Sequence, residues 1–438
     1  MQFARTTFPD LIRPQVAERL APPLPVWLFL ICAFMPIAFR IGPLYMTGVR
    51  VLLIAMIVPL GFNLISGKYG RLIATDILFS LYVGWIIIAM AINSPEQVVQ
   101  NAGATGIEFL GGYLLGRAYI RTSDDMIALI RLFAMILLIC LPFAVIEAIT
   151  GSAILMTLAE HLPGLSPVAD LAIPRRLGLE RVQMAFEHPI HWGLVCAIGV
   201  SFCFIGLARE ISCRRRLCAT AAVCIGGLLA LSSGAILAIA LQLGLILWAA
   251  MFRQSARRWL ILIALSLCLI TIVDLLSSRS PLQVFMTYAT FSAHSAYWRS
   301  TIFDWGMVNV WANPIFGLGL RDWVRPVWMH GPSVDNFWLL TTMRFGVPAF
   351  LFLISGYLIA LLRIGTCEIA EKEPPWPLRR AWMFCFIAVS FALTTVHVWG
   401  SVYALVFFFF GAGMWMYPNV SQATGLGPRT ERSLFTRI

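Results

Sequence analysis

The sequence predicts an all-α polytopic membrane protein with about twelve transmembrane helices, two long outer loops, and both termini in the cytoplasm. Of 438 residues, 60% are hydrophobic and only 12% are charged, whereas about a quarter of the residues of a soluble domain are charged. The mean hydropathy of +0.83 agrees with this class. Apolar runs of about twenty residues recur along the chain, and a helix needs that length to cross a bilayer.

Hydropathy and turn residues place the elements in order. Gly42-Pro43 separates the first two spans, and Ser232-Ser233-Gly234 separates the seventh from the eighth. The fourth span contains Gly112 and Gly116, a GxxxG pair that lets two helices approach closely. The expected spans are 24–40, 44–65, 72–92, 98–120, 126–149, 188–208, 217–232, 234–252, 259–277, 337–362, 380–397 and 399–417.

These spans define one transmembrane domain, residues 24–417, which includes outer loops at 150–187 and 278–336. Residues 1–23 and 418–438 are expected to be cytoplasmic tails. With this orientation about two thirds of the Lys and Arg residues fall on cytoplasmic segments, as the positive-inside rule requires. Most of the net charge of +11 is therefore explained by membrane topology, and it does not indicate nucleic-acid binding.

The outer loops nevertheless carry several arginines, and Arg344 lies two turns into the helix that follows the second loop. Positive charge at positions that the insertion rule disfavours suggests an anionic ligand. Contact with lipid phosphates is the alternative for any single arginine. The arginines of the two loops are Arg175, Arg176, Arg181, Arg279, Arg299, Arg321 and Arg325.

The motifs of several other protein classes are absent from the sequence. No P-loop, GxGxxG after a strand, HExxH or GxSxG occurs, so an ATP-driven pump is not indicated. His188 and His191 are close in sequence but have only Glu187 as a nearby carboxylate, so no metal site is expected. No other cofactor is indicated. A transporter would more often show paired broken helices and an inverted repeat, neither of which is visible.

The first candidate cluster ends the first outer loop. Arg181 precedes His188 and Pro189, which stand at the start of a span, and Arg175 and Arg176 lie upstream. A guanidinium fork above a helix N-terminus suits a pyrophosphate. The alternative is a simple helix start, with Pro189 near its first turn and Arg181 reaching the lipid headgroups.

Two further clusters occupy the second outer loop. Ser295 to Gly319 is expected to form an amphipathic interfacial helix, with Arg299 and Asp304 on its wet side. The third cluster precedes or enters the next span, and Asp335 could either cap that helix or accept a proton from a sugar hydroxyl. The third cluster comprises His330, Asp335, Asn336 and Arg344.

In this order the motifs resemble the bacterial O-antigen ligase and polysaccharide polymerase superfamily, over roughly residues 25–417. They are RxxxxFxHP from Arg181, LSSGA from Leu231, an NPxFGxG block after Arg299, and a polar pair at Asp335-Asn336 that nine residues separate from Gly346. The resemblance is greatest to the exopolysaccharide repeat-unit polymerases. It implies glycosyl transfer on the periplasmic face of the inner membrane from a glycan on undecaprenyl pyrophosphate, with arginines holding the pyrophosphate.

Two positions depart from the ligase pattern. Ligases carry His at the first place of the polar pair, where this chain has Asp335, and they often carry Arg where it has Gly234. Both departures favour a polymerase that joins lipid-linked repeat units. The alternatives are a ligase that transfers glycan to lipid A core, and a transporter of lipid-linked or anionic saccharide.

The expected catalytic residues are Arg181, Arg299, Asp335 and His330. The arginines are expected to stabilise the leaving pyrophosphate without a metal, and Asp335 to act as base, with His330 as the nearest histidine to it. The expected partners are the lipid-linked donor and acceptor and membrane lipid, together with chain-length regulators and export proteins, but no nucleic acid. The expected substrate-binding residues are Arg175, Arg176, His188, Arg321, Arg325, Asn336 and Arg344.

Overall fold

The fold is described here from a computed structural model. It covers residues 21–161, 166–167, 174–255, 257–278, 281, 284, 293–329, 331–370 and 373–418. Most of the two expected tails, Arg279 and His330 lie outside these residues.

Helices dominate this part of the chain, and we number the α-helices in chain order. Short 3-10 or π-helical stretches continue some of them: Pro95–Gln97, Val98–Gly103, Ile107–Gly111, Phe202–Gly206 and Met414–Met416. The α-helices are α1 (Leu24–Phe34), α2 (Gly48–Ile65), α3 (Ala74–Asn93), α4 (Ala104–Gly106), α5 (Gly112–Tyr119), α6 (Ser123–Thr150), α7 (Ile154–Glu160), α8 (Pro189–Ser201), α9 (Cys213–Leu229), α10 (Ser233–Met251), α11 (Arg258–Leu276), α12 (Ala293–Ala312), α13 (Phe337–Gly365), α14 (Pro375–Ala392) and α15 (Gly400–Gly411).

Each of the twelve expected spans overlaps a helix. Among the described residues, seven helices are long and apolar enough to cross a membrane. The apolar helices Leu24–Phe34 and Gly400–Met416 are shorter. The structure therefore agrees with a polytopic helical membrane protein, while the count of twelve stays a prediction.

The sequence analysis missed a small antiparallel sheet. The expected first span, 24–40, ends as a helix at Phe34, and strands β1 (Ile37–Ile41) and β2 (Leu44–Thr47) follow. A third strand, β3 (Ser166–Pro167), pairs with β1, which gives the order β2-β1-β3. Gly42 has a φ of +57° at the turn, and Pro43 cannot donate in a helix, so this apolar stretch turns back as a hairpin.

The interior is densely packed because glycines let two helices touch. Helix α5 lies against α15, where a Cβ on Gly112 would be 2.4 Å from the Ala404 carbonyl oxygen. A Cβ on Gly116 would be 2.1 Å from the Phe408 carbonyl oxygen. The close approach that the GxxxG pair predicted is thus confirmed. Buried rings fill the adjacent space, as shown by a centroid distance of 4.3 Å between Phe109 and Phe407.

Helix α13 is broken at Gly346, which has φ +84° and ψ 171°. The break has a local cause, because Pro348 has no N–H to donate to the Arg344 carbonyl. Backbone amides of the preceding loop replace the missing helical hydrogen bonds. Leu318 N donates to Met343 O at 2.7 Å, and Gly319 N donates to Arg344 O at 2.9 Å. The NPxFGxG block therefore docks on the kink.

Candidate active site

A buried carboxylate fixes the end of the first outer loop. Glu147, near the C-terminus of α6, accepts hydrogen bonds from the backbone amides of Gln183 at 2.7 Å and Met184 at 3.2 Å. Val182 N also donates to Leu229 O at 3.2 Å, at the end of α9. The segment that carries Arg181 is thus held between α6 and α9.

The same loop carries two arginines to the turn after α9. Arg176 and Leu179 exchange two backbone hydrogen bonds of 3.0 Å around a tight turn. Arg176 Nη1 donates to Leu231 O at 2.8 Å, and Arg181 Nε donates to Ala230 O at 3.4 Å. The carbonyls at the C-terminus of a helix attract cations, so this position stabilises both guanidinium groups without a carboxylate.

Arg299 reaches the same turn from α12. Its Nη2 donates to Ser233 Oγ at 3.1 Å, while Nη1 is buried and has no hydrogen-bond partner among the described residues. The prediction of a helix from Ser295 is confirmed as far as Ala312, where the helix ends before the expected Gly319, and its interfacial position stays a prediction. The expectation that Arg299 and Asp304 share its wet side is wrong, because Asp304 is exposed whereas Arg299 turns inward to the start of α10.

Asp335 stands at the mouth of α13, but it does not cap that helix. Asn336 Oδ1 accepts from Leu339 N at 3.0 Å, so Asn336 is the N-cap. Asp335 Oδ1 instead accepts from Ser333 Oγ at 3.0 Å. The capping interpretation of Asp335 is therefore wrong, and its half-buried carboxylate is left available for chemistry.

The charges of these groups act on one another and shift their pKa values. Burial lowers the pKa of Arg181 to about 10, with Arg176 adding to the shift and Asp335 opposing it. Burial also lowers the pKa of Arg299. Asp335 opposes this shift, and Arg176 adds to it. Both guanidinium groups remain charged at neutral pH. Arg176, Arg181, Arg299 and Asp335 thus form one cluster around residues 230–233.

His188 borders this cluster as the N-cap of α8, and its Nδ1 accepts from Ile190 N at 3.0 Å. Burial lowers its pKa to about 4, with Arg181 and Arg176 adding to the shift and Asp335 opposing it. The ring is neutral at pH 7, and the accepting Nδ1 places its proton on Nε2. It can donate one hydrogen bond to a ligand but is a poor general acid.

The cluster has an excess of positive charge. Within the described residues, the hydrogen bonds of the three guanidinium groups go to neutral carbonyl or hydroxyl oxygens. Among the described residues, Asp335 is the carboxylate whose charge shifts the pKa values of Arg181 and Arg299. An anion with several oxygens would complete this coordination, because guanidinium forks match phosphate geometry.

Other predicted residues have their own partners. Arg175 is exposed and pairs with Glu180 at 2.5 Å. Arg321 Nη2 donates to Asn93 Oδ1 at 2.8 Å, and Arg325 pairs with Asp322 at 2.5 Å. Arg325 also donates to Met329 O at 2.9 Å, so it holds its own loop together.

Arg344 and Arg321 line a separate cleft of about 170 Å³, which begins at the docked NPxFGxG block. His330 lies outside the described residues. The structure thus brings together Arg176, Arg181, His188, Arg299 and Asp335. Arg175, Arg321, Arg325 and Arg344 are not part of this group in the structure.

Several residues that build or border the site were not predicted from the sequence. Ser233 and Glu147 are two of them. Glu187 precedes His188 in the chain; burial raises its pKa, Glu108 adds to the rise, and Arg50 and the Trp399 side chain oppose it. Glu108 pairs with Arg50 at 2.6 Å. Ionisable residues inside apolar runs, such as Glu147 and Glu108, were the available signal.

The departure at Gly234 has a steric cause in this chain. A Cβ at this position would lie 2.3 Å from Val396 Cγ1 and 3.0 Å from Thr395 Oγ1. No side chain fits there unless the segment between α14 and α15 moves. Here Arg299, from a different element, brings its guanidinium to the neighbouring Ser233.

Comparison with known protein families gives one match. Residues 217–354, about a third of the chain, match the family described as O-Antigen ligase. The match includes Ser233, Arg299 and Asp335 but not Arg181. It confirms the resemblance to the O-antigen ligase and polysaccharide polymerase superfamily, and it supports a membrane-bound enzyme of ligase or polymerase type. No curated protein matches the chain.

Proposed function

We propose that this chain is a glycosyltransferase of the inner membrane that joins oligosaccharide repeat units carried on undecaprenyl pyrophosphate. The reaction would occur on the periplasmic face and would extend an exopolysaccharide or an O-antigen-like polymer. The observation that carries the proposal is the convergence of Arg181, Arg299 and Asp335, from three separate parts of the chain, on the turn after α9.

The proposed step needs one proton acceptor and one stabilised leaving group. An acceptor hydroxyl oxygen bonds to the anomeric carbon of the donor, and its proton passes to the Asp335 carboxylate. The bond from that carbon to the pyrophosphate oxygen breaks, and the electron pair stays on the oxygen. Arg181 and Arg299 stabilise the resulting charge, and Arg176 supports them. Preorganised donors of this kind supply a large part of enzymatic rate enhancement.

Arginines take the place of a metal in this proposal. Two partly buried guanidinium groups offer a pyrophosphate a rigid set of donors, and Arg299 Nη1 already has no protein partner among the described residues. Purified enzyme should therefore keep its turnover of lipid-linked donor in excess EDTA. A loss of turnover that Mg²⁺ restores would show that the arginines do not suffice.

Polymerase and ligase differ in what accumulates without the protein. A deletion strain should collect single lipid-linked repeat units and contain no polymer. The family description favours a ligase as the second candidate, and loss of a ligase would leave long chains on the carrier lipid. Finding such chains in the deletion strain would replace the polymerase proposal. Complementation with the wild-type gene provides the control.

The periplasmic position of the site can be tested directly. The arginine distribution places Pro332 and Gly164 outside, and Arg214 and Lys372 inside. Reporter fusions at these four positions should give alternating signals. A cytoplasmic signal at Pro332 would contradict the proposal, because the donor glycan is expected on the outer face. Chain-length regulators and export proteins would meet the enzyme on that same face.

A further inference from the structure

A second cationic cleft lies at the far ends of the helices that form the candidate active site. Helix α9 ends beside the site, at Leu229, and α10 begins there, at Ser233. The cleft lies near the start of α9 and the end of α10, so about 25 Å of helix separates the two places. Its volume is about 280 Å³.

Four arginines from four segments line this cleft. They are Arg216 at the start of α9, Arg253 after α10, Arg258 at the start of α11 and Arg380 in α14. No Asp or Glu lies among the described residues that line it. The positive-inside rule accounts for arginines at these helix ends but not for their convergence. Arg214 and Arg215, from the same run as Arg216, are exposed and do not line the cleft.

Neutral groups hold the guanidinium groups in place. Arg216 Nη1 donates to Phe204 O at 2.7 Å, and Arg258 Nη1 donates to Arg253 O at 3.1 Å. The Arg380 guanidinium lies 4.5 Å from the Trp376 ring centroid. Arg216 Nε is buried and has no hydrogen-bond partner among the described residues. The described residues that line the cleft thus position these arginines and include no carboxylate beside Arg216, Arg253 or Arg258.

An apolar wall stands beside the cleft. None of the residues of α11 is buried, and this helix carries no charged residue between Leu260 and Val273. Leu247 and Met251 of α10 are exposed too. An acyl chain could lie on this surface while its headgroup occupied the cleft, because basic pockets between membrane helices bind anionic headgroups.

We propose that this cleft binds the phosphate group of an anionic phospholipid. Arg216 and Arg380 would hold the phosphate oxygens, Arg253 and Arg258 would close the rim, and the acyl chains would lie along α10 and α11. The proposal is independent of the glycosyltransferase function, because it concerns the opposite ends of the helices and no residue of the candidate active site.

The test compares lipid retention by the purified full-length protein. Phosphatidylglycerol and phosphatidylcholine are titrated against it in neutral detergent, and bound lipid is counted by native mass spectrometry. Wild type should bind phosphatidylglycerol more tightly than phosphatidylcholine. Arg216→Gln with Arg253→Gln should lose about tenfold or more in affinity for phosphatidylglycerol, since charge-assisted hydrogen bonds disappear. Arg214→Gln with Arg215→Gln removes the same charge outside the cleft and should change the affinity little.

Arg253→Gln alone covers the case in which the double variant does not fold, because Arg253 is exposed. It should weaken phosphatidylglycerol binding several-fold, in line with the loss of one charge near the phosphate. Equal affinity of wild type and the cleft variants, or an equal loss in the control pair, would overturn the proposal.

Titration with inorganic phosphate and glycerol 3-phosphate identifies the source of the phosphate. The proposal expects neither to displace phosphatidylglycerol at millimolar concentration. Displacement by both, with a loss of their binding in the cleft variants, would assign the cleft to soluble phosphate and overturn the lipid assignment.

Discussion

Two regions of this protein bury arginine, and they use it differently. Arg117 is 1% exposed and lies 3.5 Å from Asp76, while its other nitrogens donate to the Tyr69 and Arg71 carbonyls. Asp76 also accepts from the Tyr113 hydroxyl at 2.5 Å. Arg181 and Arg299 bond only to neutral oxygens within the described residues. The buried arginine with its carboxylate holds the fold together, whereas the partly buried arginines without one are available to an anion.

The largest expected effect follows from this contrast. Arg181→Ala and Arg299→Ala should each lower turnover of lipid-linked donor by about 100- to 1,000-fold, the range for removal of one transition-state donor. Membrane abundance should stay near normal. Lys at either position should rescue only partly, because it lacks the planar fork. Activity of purified protein and immunoblots of membranes measure the two quantities.

Arg117→Ala is the matched control, because it should show the opposite pattern. It leaves Asp76 buried without its counter-charge, which costs about 3–5 kcal/mol. Protein level should fall, while the molecules that fold keep their turnover. Full polymer yield from both Ala variants of the site would reduce Arg181 and Arg299 to headgroup contacts.

The next effect concerns the carboxylate of the site. Asp335→Asn keeps the shape and removes the proton acceptor, so turnover should fall by about 100-fold, as is usual for general acid–base catalysis. Expression should be unchanged because Asn336 is the cap. Asp335→His should restore part of the activity if proton acceptance is the shared role in ligases and polymerases.

Asn336→Ala separates capping from catalysis. It should destabilise the protein by about 1 kcal/mol, and Asn336→Asp should not, because Asp caps a helix as well as Asn does. Thermal unfolding in detergent measures both. Near-wild-type turnover by purified Asp335→Asn enzyme would remove Asp335 from the mechanism and make His330 the next candidate.

A smaller effect is expected at Gly234, which contacts the segment between α14 and α15. Gly234→Ala places a methyl group 2.3 Å from Val396 Cγ1, so the protein should lose stability by about 1–3 kcal/mol. Adding Val396→Ala removes that atom and should return part of the loss. If the double variant were no more stable than Gly234→Ala alone, this contact would not be the steric cause.

The smallest expected effect is on the pH dependence of protein stability. The pKa of His188 is about 4 in the folded protein, against about 6.5 in the unfolded chain. The unfolded chain therefore binds more protons in this window, and stability should fall as pH falls from 6.5 to 4. His188→Asn retains a good N-cap and removes the titrating ring. The apparent Tm should then fall less between pH 7 and pH 5 than in wild type, and an equal fall would exclude His188 as its cause.

Hydropathy was sufficient to place a helix in each expected span, because a bilayer imposes a length and a composition on each helix. It could not show that the chain after Phe34 turns into strands, since the same apolar residues suit both structures and only Gly42-Pro43 indicates the turn. The grouping of Arg181, Arg299 and Asp335 was predictable only through the family resemblance.

Other features of the site depend on contacts between distant segments. Ser233 and Glu147 could not be assigned, because their roles arise from an arginine 66 residues away and from amides 36 and 37 residues away. Whether Asn336 or Asp335 is the N-cap depends on a difference of one residue in where α13 begins. Helix boundaries shift by that amount too easily to be read from sequence.

The kink of α13 constrains the order in which the protein can be inserted into the membrane. The carbonyls of Met343 and Arg344 receive their hydrogen bonds from Leu318 and Gly319, which precede the helix in the chain. A helix that entered the lipid with both carbonyls bare would lose several kcal/mol for each. The NPxFGxG block must therefore have docked by the time α13 is released sideways from the insertion machinery. Docking of the block and insertion of α13 are in that sense one event.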